Sequence, residues 1–243
     1  MLAKASLELL STGQVPERYL RNIGTIGIDG QARLLKSRVA VVGAGGLGGA
    51  VVELLARMGV GYLKVIDGDC FAMHNLNRQI LSTENNIGHN KAQTAAERAA
   101  IINSDVQVEP VPEMLNESNG EMLLQSMDVV VDALDNFSGR ILLGRITDRL
   151  RIPLVHAAIA GFTGQVMTVM PGDKSFEQLY RITPPSDRGA EVILGTPAAT
   201  PSLAASLEAQ EVVKILTGYG EAIRNKLLYF DTQLNVFKFI NLE

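Results

Sequence analysis

The stretch Val39-Ala40-Val41-Val42-Gly43-Ala44-Gly45-Gly46-Leu47-Gly48 decides the fold of this chain. Four apolar residues followed by a glycine-rich turn predict a buried strand that passes directly into a helix. Gly43 permits the tight turn, Gly45 lets a phosphate approach the backbone, and Gly48 lets helix and strand pack closely. Because free N–H groups and a helix N-terminus meet at such a turn, the stretch predicts a phosphate-binding loop.

An acidic residue follows this turn at a spacing that is typical of nucleotide-binding folds. Asp67 ends the next apolar run, Tyr62 to Ile66, about 20 residues downstream. At that distance a carboxylate commonly binds a ribose hydroxyl. The two features together predict a nucleotide site, and by themselves they favour a dinucleotide such as NAD.

Composition bounds the class of protein. With 243 residues, 47% hydrophobic and 20% charged, the chain is typical of a globular protein with a substantial core. The net charge of −4 gives no reason to expect a nucleic acid or a membrane surface as partner. A single cysteine excludes an internal disulfide and a cysteine-built zinc site, and it favours a reducing, cytoplasmic location. No apolar run approaches the length of a membrane span.

The first two thirds of the chain alternate strands and helices. Further strands are predicted at 106–111, 128–134 and 154–159, and helices at 47–58, 91–102, 119–125 and 138–150. This alternation predicts an α/β fold with a Rossmann-like, doubly wound, mostly parallel sheet and right-handed crossovers.

The pattern changes after Gly161. A strand at 164–170 follows its neighbour without a helix, and 171–201 is a long Gly-, Pro-, Ser- and Thr-rich segment that predicts a functional or mobile loop. A helix at 203–216 and an antiparallel pair at 226–231 and 235–240 close the chain. We therefore expect one domain over 1–243, with an N-terminal helical arm (1–36), a Rossmann-like core (37–160) and a C-terminal antiparallel extension (161–243).

Cations gather where the first strands end. Asn75, Arg78 and Gln79 lie in the loop after the second strand, and Lys91 opens the next helix. This edge of the sheet is where open α/β folds bind ligands. The bridging diphosphate of a dinucleotide needs little additional charge, whereas a triphosphate that loses pyrophosphate needs more.

A carboxylate follows the fourth strand at the same edge. Asp135 is a sensible magnesium ligand opposite a triphosphate, and Asp132, inside the strand, is a second candidate. Asp135 could alternatively serve only to cap the following helix. His156, inside an apolar strand, is interpreted as a hydrogen-bonded core or cavity-lining residue.

Six ordered motifs carry a family resemblance. They are Arg-Tyr-x-Arg-Asn at 18–22, Gly-Ala-Gly-Gly-Leu-Gly at 43–48, Asp-Gly-Asp at 67–69, Asn-Leu-Asn-Arg-Gln at 75–79, Ile-Gly-x-x-Lys at 87–91 and Leu-Asp-Asn-Phe at 134–137. In this order and spacing the chain resembles the ThiF/MoeB/HesA adenylyltransferases, relatives of the ubiquitin-activating enzymes, over roughly residues 15 to 240.

The resemblance implies a reaction. Such enzymes use ATP and Mg²⁺ to adenylate the C-terminal glycine carboxylate of a ubiquitin-like sulfur carrier protein of the ThiS/MoaD type, which ends in Gly-Gly. They release pyrophosphate and leave an acyl-adenylate. Arg21 resembles an arginine that family members donate to the ATP of the neighbouring subunit, which implies a homodimer.

The resemblance also implies roles for individual residues. Asp67 would hold the ribose, Arg78, Lys91, Asp135 and Arg21 would act in catalysis, and Asp135 would hold magnesium through ATP. The full set expected to bind the nucleotide is Gly43, Gly45, Gly46, Leu47, Gly48, Asp67, Asp69, Asn75, Arg78, Gln79, Lys91, Leu134 and Asn136.

The chain departs from the family in its cysteines. Many relatives hold a structural zinc with two Cys-x-x-Cys pairs, but here 172–180 and 231–236 contain no cysteine, so no zinc is expected. Residues 181–200 also lack the cysteine with which some relatives form a thioester or persulfide, and Cys70 lies elsewhere, beside the nucleotide acid. We therefore expect the chain to stop at the adenylate or to pass it to a thiol on another protein.

Three rival interpretations remain. One is a nicotinamide-dependent oxidoreductase. Another is a non-catalytic partner subunit, which the presence of Arg78, Lys91 and Asp135 disfavours. The third lies within the same family, adenylation of a peptide or of a tRNA base, and the acidic chain disfavours tRNA.

Overall fold

An eight-stranded mixed sheet runs through the molecule. The computed structural model describes residues 3–181 and 187–242. The strands lie in the order β3-β2-β1-β4-β5-β6-β7-β8; the first five pair in parallel and the last three pair antiparallel. Their bounds are β1 Arg38–Val42, β2 Tyr62–Ile66, β3 Gln107–Val111, β4 Val129–Asp132, β5 Leu154–Ala160, β6 Thr163–Val169, β7 Lys226–Asp231 and β8 Val236–Asn241.

Nine α-helices connect and cover these strands within the described residues. They are α1 Lys4–Ser11, α2 Leu20–Lys36, α3 Gly48–Met58, α4 Lys91–Ile102, α5 Gly120–Leu124, α6 Phe137–Leu150, α7 Ser175–Leu179, α8 Glu191–Leu194 and α9 Ala199–Thr217. None of the helices in 3–181 and 187–242 is long and apolar enough to cross a membrane.

The helices bury both faces of the parallel strands. On one face α3, α4 and α9 pack against Val39, Val41, Val65 and Val131 in one apolar cluster. On the other face α5, α6 and α7 pack against residues such as Val42 and Val130. Because both faces are covered, β1, β2, β4 and β5 are mostly apolar, as parallel strands in α/β proteins are, whereas the edge strand β3 alternates exposed and partly buried residues.

The predicted fold class is confirmed. The sheet is mostly parallel, β6 to β8 add antiparallel strands at its C-terminal edge, and every predicted strand forms with end points within two residues of the prediction.

The segment 171–201 is more ordered than the sequence indicates. It contains the short helices α7 and α8, and α9 begins at Ala199 rather than at residue 203. Pro201 lies in the first turn of α9, where a missing N–H costs nothing, so the proline extends the helix instead of preventing it. Part of the predicted loop, residues 182–186, lies outside the described residues.

Candidate nucleotide site

The glycine turn forms the floor of a cavity at the carboxyl ends of the parallel strands. Gly43 has φ of 95°, and a Cβ there would lie 2.6 Å from the carbonyl oxygen of Ala133 on the neighbouring strand end. Gly43, Gly45, Gly46 and Leu47 line the cavity. Because α3 begins at this point, the partial positive charge of its N-terminus lies at the cavity floor, where it suits a phosphate group.

Gly48 serves packing. A Cβ at this position would lie 1.8 Å from the carbonyl oxygen of Gly43, so no other residue fits without moving the backbone of the turn. Gly48 does not line the cavity. Gly48 is expected from the sequence to bind the nucleotide, but in the structure it only holds the glycine turn in shape.

Asp67 ties the end of β2 to the glycine turn. Its carboxylate accepts the N–H of Ala44 at 2.7 Å and that of Asp69 at 2.8 Å, and the residue is 7% exposed. Burial raises the pKa of Asp67, while these N–H groups and the Lys91 ammonium act in the opposite direction. Each carboxylate oxygen keeps a further lone pair that can accept a hydroxyl.

Lys91 brings a buried ammonium to the cavity. It is 8% exposed, and its Nζ lies 2.9 Å from a carboxylate oxygen of Asp69. Asn90 caps the helix just before it by accepting the N–H of Gln93 at 3.0 Å, which fixes where α4 starts. The cation therefore stands at a defined point, already paired with one carboxylate.

Arg78 and Gln79 line the cavity beside the glycine turn. One guanidinium nitrogen of Arg78 donates to the carbonyl of His74 at 3.0 Å and to the side chain of Asn77 at 2.9 Å. Gln79 is 6% exposed and its Oε1 has no hydrogen-bond partner in the described structure. Asn75 does not line the cavity, because its side chain is buried and accepts the N–H of Ala72 at 2.9 Å, which stabilises the loop.

Asp135 is an exposed carboxylate on the opposite rim. Its Oδ2 accepts a hydrogen bond from the guanidinium of Arg188. The cap of α6 is its neighbour, since the Asn136 side chain accepts the N–H of Gly139 at 2.8 Å. The interpretation of Asp135 as the helix cap is thus wrong, and its carboxylate is available to the cavity.

Asp132, the second magnesium candidate, is out of reach of a ligand. It is fully buried, one oxygen accepts the N–H of Leu134 at 3.1 Å, and the other lies 2.8 Å from Nδ1 of His156. His156 is accordingly a hydrogen-bonded core residue, as the sequence predicts. Burial lowers the pKa of its imidazole, which favours the neutral ring.

The cavity has a volume of about 670 Å³, within the range of small-molecule sites. The segment after β3 forms one wall, with Met114 and Leu115, and residues of 188–201 cover it from above. The cover is attached at several points: Asp187 accepts from the N–H and hydroxyl of Ser138, and Asn77 donates to the carbonyl of Thr196 at 3.1 Å.

Arg21 is remote from this cavity. The ring of Tyr19, two residues earlier, packs where a Cβ of Gly59 would lie, just past the C-terminal end of α3, whereas the cavity lies at its N-terminus. The 11 residues of α3 separate these ends by about 16 Å. Arg21 therefore does not join the other expected site residues within one chain.

The donor set fits a magnesium ion carried by a nucleotide. Mg²⁺ is usually held by one or two carboxylates, water and substrate phosphates, and an exposed Asp135 facing the phosphate loop offers that arrangement. In the part of the chain that the structure describes, no group of three or more His, Cys, Asp or Glu side chains could hold a metal alone.

Several cavity residues escaped the sequence analysis, among them three charged ones. Arg140, Arg188 and Glu191 line the cavity, but each belongs to a stretch that resembles an ordinary helix face or a polar loop. Only the position of Arg140 six residues after Leu134, in the helix that follows a site loop, could have drawn attention to it.

The fold and the cavity define a class of protein, an α/β protein in which a glycine turn, two cations and a carboxylate line one cavity at the carboxyl ends of the parallel strands. The ThiF family model matches residues 19–243, and the chain belongs to this family.

Relatives with known names agree with this assignment. The chain is 39% identical to the SAMP-activating enzyme E1 of Haloferax volcanii, over 91% of this chain and 83% of that protein. It is 36% identical to the sulfur carrier protein adenylyltransferase of Thermus thermophilus, over 88% and 83%. It spans about half, 47%, of the adenylyltransferase and sulfurtransferase MOCS3 of Arabidopsis thaliana, with 36% identity over 88% of this chain.

A solved structure shares the fold. E. coli MccB with ATP has a TM-score of 0.81 and 23% identity, covering 93% of this chain and 72% of that one. Together with its relatives, the family assignment makes this chain an adenylyltransferase, and the nicotinamide-dependent oxidoreductase interpretation is wrong.

Proposed function

We propose that this chain adenylates the C-terminal glycine carboxylate of a ubiquitin-like sulfur carrier protein, using ATP and Mg²⁺ and releasing pyrophosphate. The observation that carries the proposal is the meeting of the glycine turn, Arg78, Lys91 and Asp135 around one cavity. The names of the Haloferax and Thermus relatives support the class of substrate.

The geometry suits attack on the α-phosphorus of ATP. Asp67 would accept a ribose hydroxyl, and Met114 and Leu115 offer an apolar wall to the base. The phosphates would then run along the N–H groups of the glycine turn toward Arg78 and Lys91. The carrier carboxylate is itself the nucleophile, so the protein needs only to position the reactants and to neutralise the charge that develops on pyrophosphate.

Lys91 and Arg78 would do most of this neutralisation. Lys91 is buried, so its charge acts at low effective dielectric, and its partner Asp69 is exposed and can turn toward water when phosphate arrives. A bound Mg²⁺, held by Asp135, would supply further positive charge on the phosphate oxygens.

Asp135 must release Arg188 for this to occur. The ion pair between the two side chains is exposed on both sides, and exposed pairs contribute little free energy. After the ion pair opens, the guanidinium of Arg188 would lie next to the phosphates, because Arg188 lines the same cavity.

A second copy of the chain would complete the site. Arg21 lies about one helix length from the cavity of its own chain, and it resembles an arginine that family members donate to the ATP of the neighbouring subunit. A homodimer in which each Arg21 reaches the partner's cavity would account for both points.

The reaction would end at the acyl-adenylate on this chain. Its only cysteine, Cys70, is remote from the 181–200 segment where some relatives carry a reactive thiol. We infer that the adenylate is passed to a thiol of another protein, in a reducing, cytoplasmic compartment.

Carrier-dependent exchange of labelled pyrophosphate into ATP tests the function. The purified chain, a panel of ubiquitin-like proteins ending in Gly-Gly and Mg²⁺ should give exchange, and a carrier that lacks its last glycine should give none. If the chain binds ATP but none of the carriers in the panel supports exchange, the proposed substrate is contradicted. A peptide and a tRNA arm distinguish the two alternative acceptors.

Asp135→Asn sharpens the same experiment. The variant keeps the size of the side chain and one acceptor oxygen but removes the charge, so the Mg²⁺ concentration for half-maximal exchange should rise by about tenfold or more. Asp128→Asn, an exposed carboxylate at the other end of β4, is the matched control.

A further inference from the structure

A ring of polar side chains surrounds the backbone of Leu134, the residue before Asp135. The N–H of Leu134 donates to Asp132 at 3.1 Å, and Asp132 accepts from His156 at 2.8 Å. Nε2 of His156 lies 3.0 Å from the hydroxyl of Tyr180. On the other side of Leu134, the guanidinium of Arg140 donates to the backbone carbonyl at 2.7 and 3.2 Å.

The direction of the hydrogen bonds follows from the chemistry of the groups. A carboxylate accepts only, so His156 donates from Nδ1 and Nε2 is left as an acceptor. The Tyr180 hydroxyl then donates to Nε2. With this assignment both backbone groups of Leu134 and all four side chains, Asp132, His156, Tyr180 and Arg140, have a hydrogen-bond partner.

The ring is largely buried and tightly packed. Asp132 and His156 are fully buried and Arg140 is 8% exposed. The rings of Phe176 and Tyr180 lie 5.4 and 5.6 Å from the imidazole of His156. In such surroundings hydrogen bonds are strong and a missing partner is costly, so the ring can hold Leu134 in one position.

The ring joins the loop that carries Asp135 to the C-terminal end of α7. Leu134 lies in that loop, and Tyr180 directly follows α7. Neither Asp132 nor His156 reaches the cavity, so they have no direct contact with a ligand there.

We propose that His156 and Tyr180 are positioning residues of the adenylation site, which act through Asp132 and the Leu134 backbone to hold Asp135 where it can bind nucleotide-bound Mg²⁺. This proposal rests on the proposed function only for the role of Asp135 toward Mg²⁺. It assigns a task to Asp132, His156 and Tyr180, none of which lines the cavity.

Tyr180→Phe is the sharpest variant. It removes the hydroxyl that donates to Nε2 of His156 and leaves the aromatic packing in place. His156→Asn breaks the same link from the other side, since its amide can still donate to Asp132 but cannot reach Tyr180. Tyr62→Phe is the matched control, because Tyr62 is also buried and donates its hydroxyl to Glu109, but at the start of β2, far from the strand ends that line the cavity.

The readout is the Mg²⁺ dependence of nucleotide binding, measured by calorimetry with a non-hydrolysable ATP analogue. Loss of one hydrogen bond predicts a rise of about five- to tenfold in the half-saturating Mg²⁺ concentration for both ring variants. Binding of the analogue without Mg²⁺ should stay unchanged. Thermal unfolding of each variant without ligand reports the cost to stability separately.

The outcomes separate the two proposals. Equal Mg²⁺ requirements for Tyr180→Phe, His156→Asn and Tyr62→Phe would overturn the positioning role, and so would Mg²⁺-independent binding by the unmodified chain. A shifted Mg²⁺ requirement in both ring variants supports it, even if no carrier gives pyrophosphate exchange. In that case only the proposed acceptor would be wrong.

Discussion

In the parallel half of the sheet β1, β2 and β4 are almost completely buried, whereas all six residues of β8, at the antiparallel end, are exposed. The parallel strands end at the cavity, and β5 contributes Ile159 to its lining, but no residue of β6, β7 or β8 lines it. Chemistry and support are thus assigned to different halves. The parallel half presents loops at its carboxyl edge, and the antiparallel half extends the sheet and ends on an open strand.

The largest effect is expected in the supporting half, at Phe230. This side chain is fully buried on β7, and a Cβ on Gly164 of β6 would lie 2.2 Å from its ring. Phe230→Ala should lower the free energy of unfolding by about 3–5 kcal/mol, because it removes a large apolar group and leaves a cavity. Urea unfolding followed by circular dichroism measures this. A cost below about 1 kcal/mol would mean that the antiparallel half is not needed for folding.

A substitution in the parallel half should reduce the reaction rate strongly and the free energy of unfolding only slightly. Lys91→Ala is expected to reduce carrier-dependent pyrophosphate exchange by about 10²–10³-fold, as for removal of one group that stabilises developing charge. Its effect on unfolding should be small, since the partner Asp69 is exposed.

Arg98→Ala is the control for Lys91. It lies on the same helix, α4, where it pairs with Glu53 on the surface. Exchange rates of this variant should match the unmodified chain. If both substitutions reduced exchange equally, the effect would reflect α4 and not the phosphate site.

Helix α9 crosses the boundary between the halves and carries a titratable carboxyl into the core. Glu208 is fully buried, neither oxygen has a hydrogen-bond partner in the described structure, and burial raises its pKa well above the usual value. Below pH 4.5 the folded and unfolded chains both hold this proton, and the residue has no pH-dependent effect.

Above that pH only the unfolded chain loses the proton, so the stability contributed by protonated Glu208 falls by about 1.4 kcal/mol per pH unit until the folded pKa is reached. In Glu208→Gln this loss is absent. The difference in unfolding free energy between the two proteins should therefore shift in favour of the variant from pH 5 to pH 8. A constant difference would show that Glu208 is ionised or solvated in the folded chain.

The smallest effect is expected at the open edge. Phe237 of β8 stacks on Phe230 with ring centroids 5.9 Å apart, but it is 56% exposed. Phe237→Ala should cost no more than about 1 kcal/mol in the same unfolding experiment. A cost close to that of Phe230→Ala would erase the distinction between the two halves and indicate that β8 is covered in solution.

The sequence predicts the parallel half well for a physical reason. Its strands β1, β2 and β4 are largely buried and mostly apolar, and each is followed within three residues by a glycine or an acid at the ligand edge, whereas β3 alternates exposed and partly buried residues. The spacing of Gly43, Asp67, Lys91 and Asp135 therefore indicates the fold and the part of the cavity that these residues line.

Other features depend on contacts that are distant along the chain. Arg140, His156 and Tyr180 each resemble ordinary core or surface residues, and only the pairing of β4 with β5 and the return of α7 bring them together. The choice of Asn136 over Asp135 as the helix cap depends on where the loop after β4 ends. The observed start of α9 differs from the prediction because a proline usually interrupts a helix, whereas Pro201 lies in the first turn, where a proline is tolerated.

Gly48 has a consequence for how this chain can change over generations. Any substitution there would drive an atom into the turn itself, so we expect variants at this position to lose the fold, whereas variants at the exposed Asp135 should stay folded. On the proposed function, a descendant that abandons adenylation for a purely associative role would still need this glycine after the charges of Lys91 and Asp135 had changed. The glycine turn would then mark the fold, and the charges around it would mark the reaction.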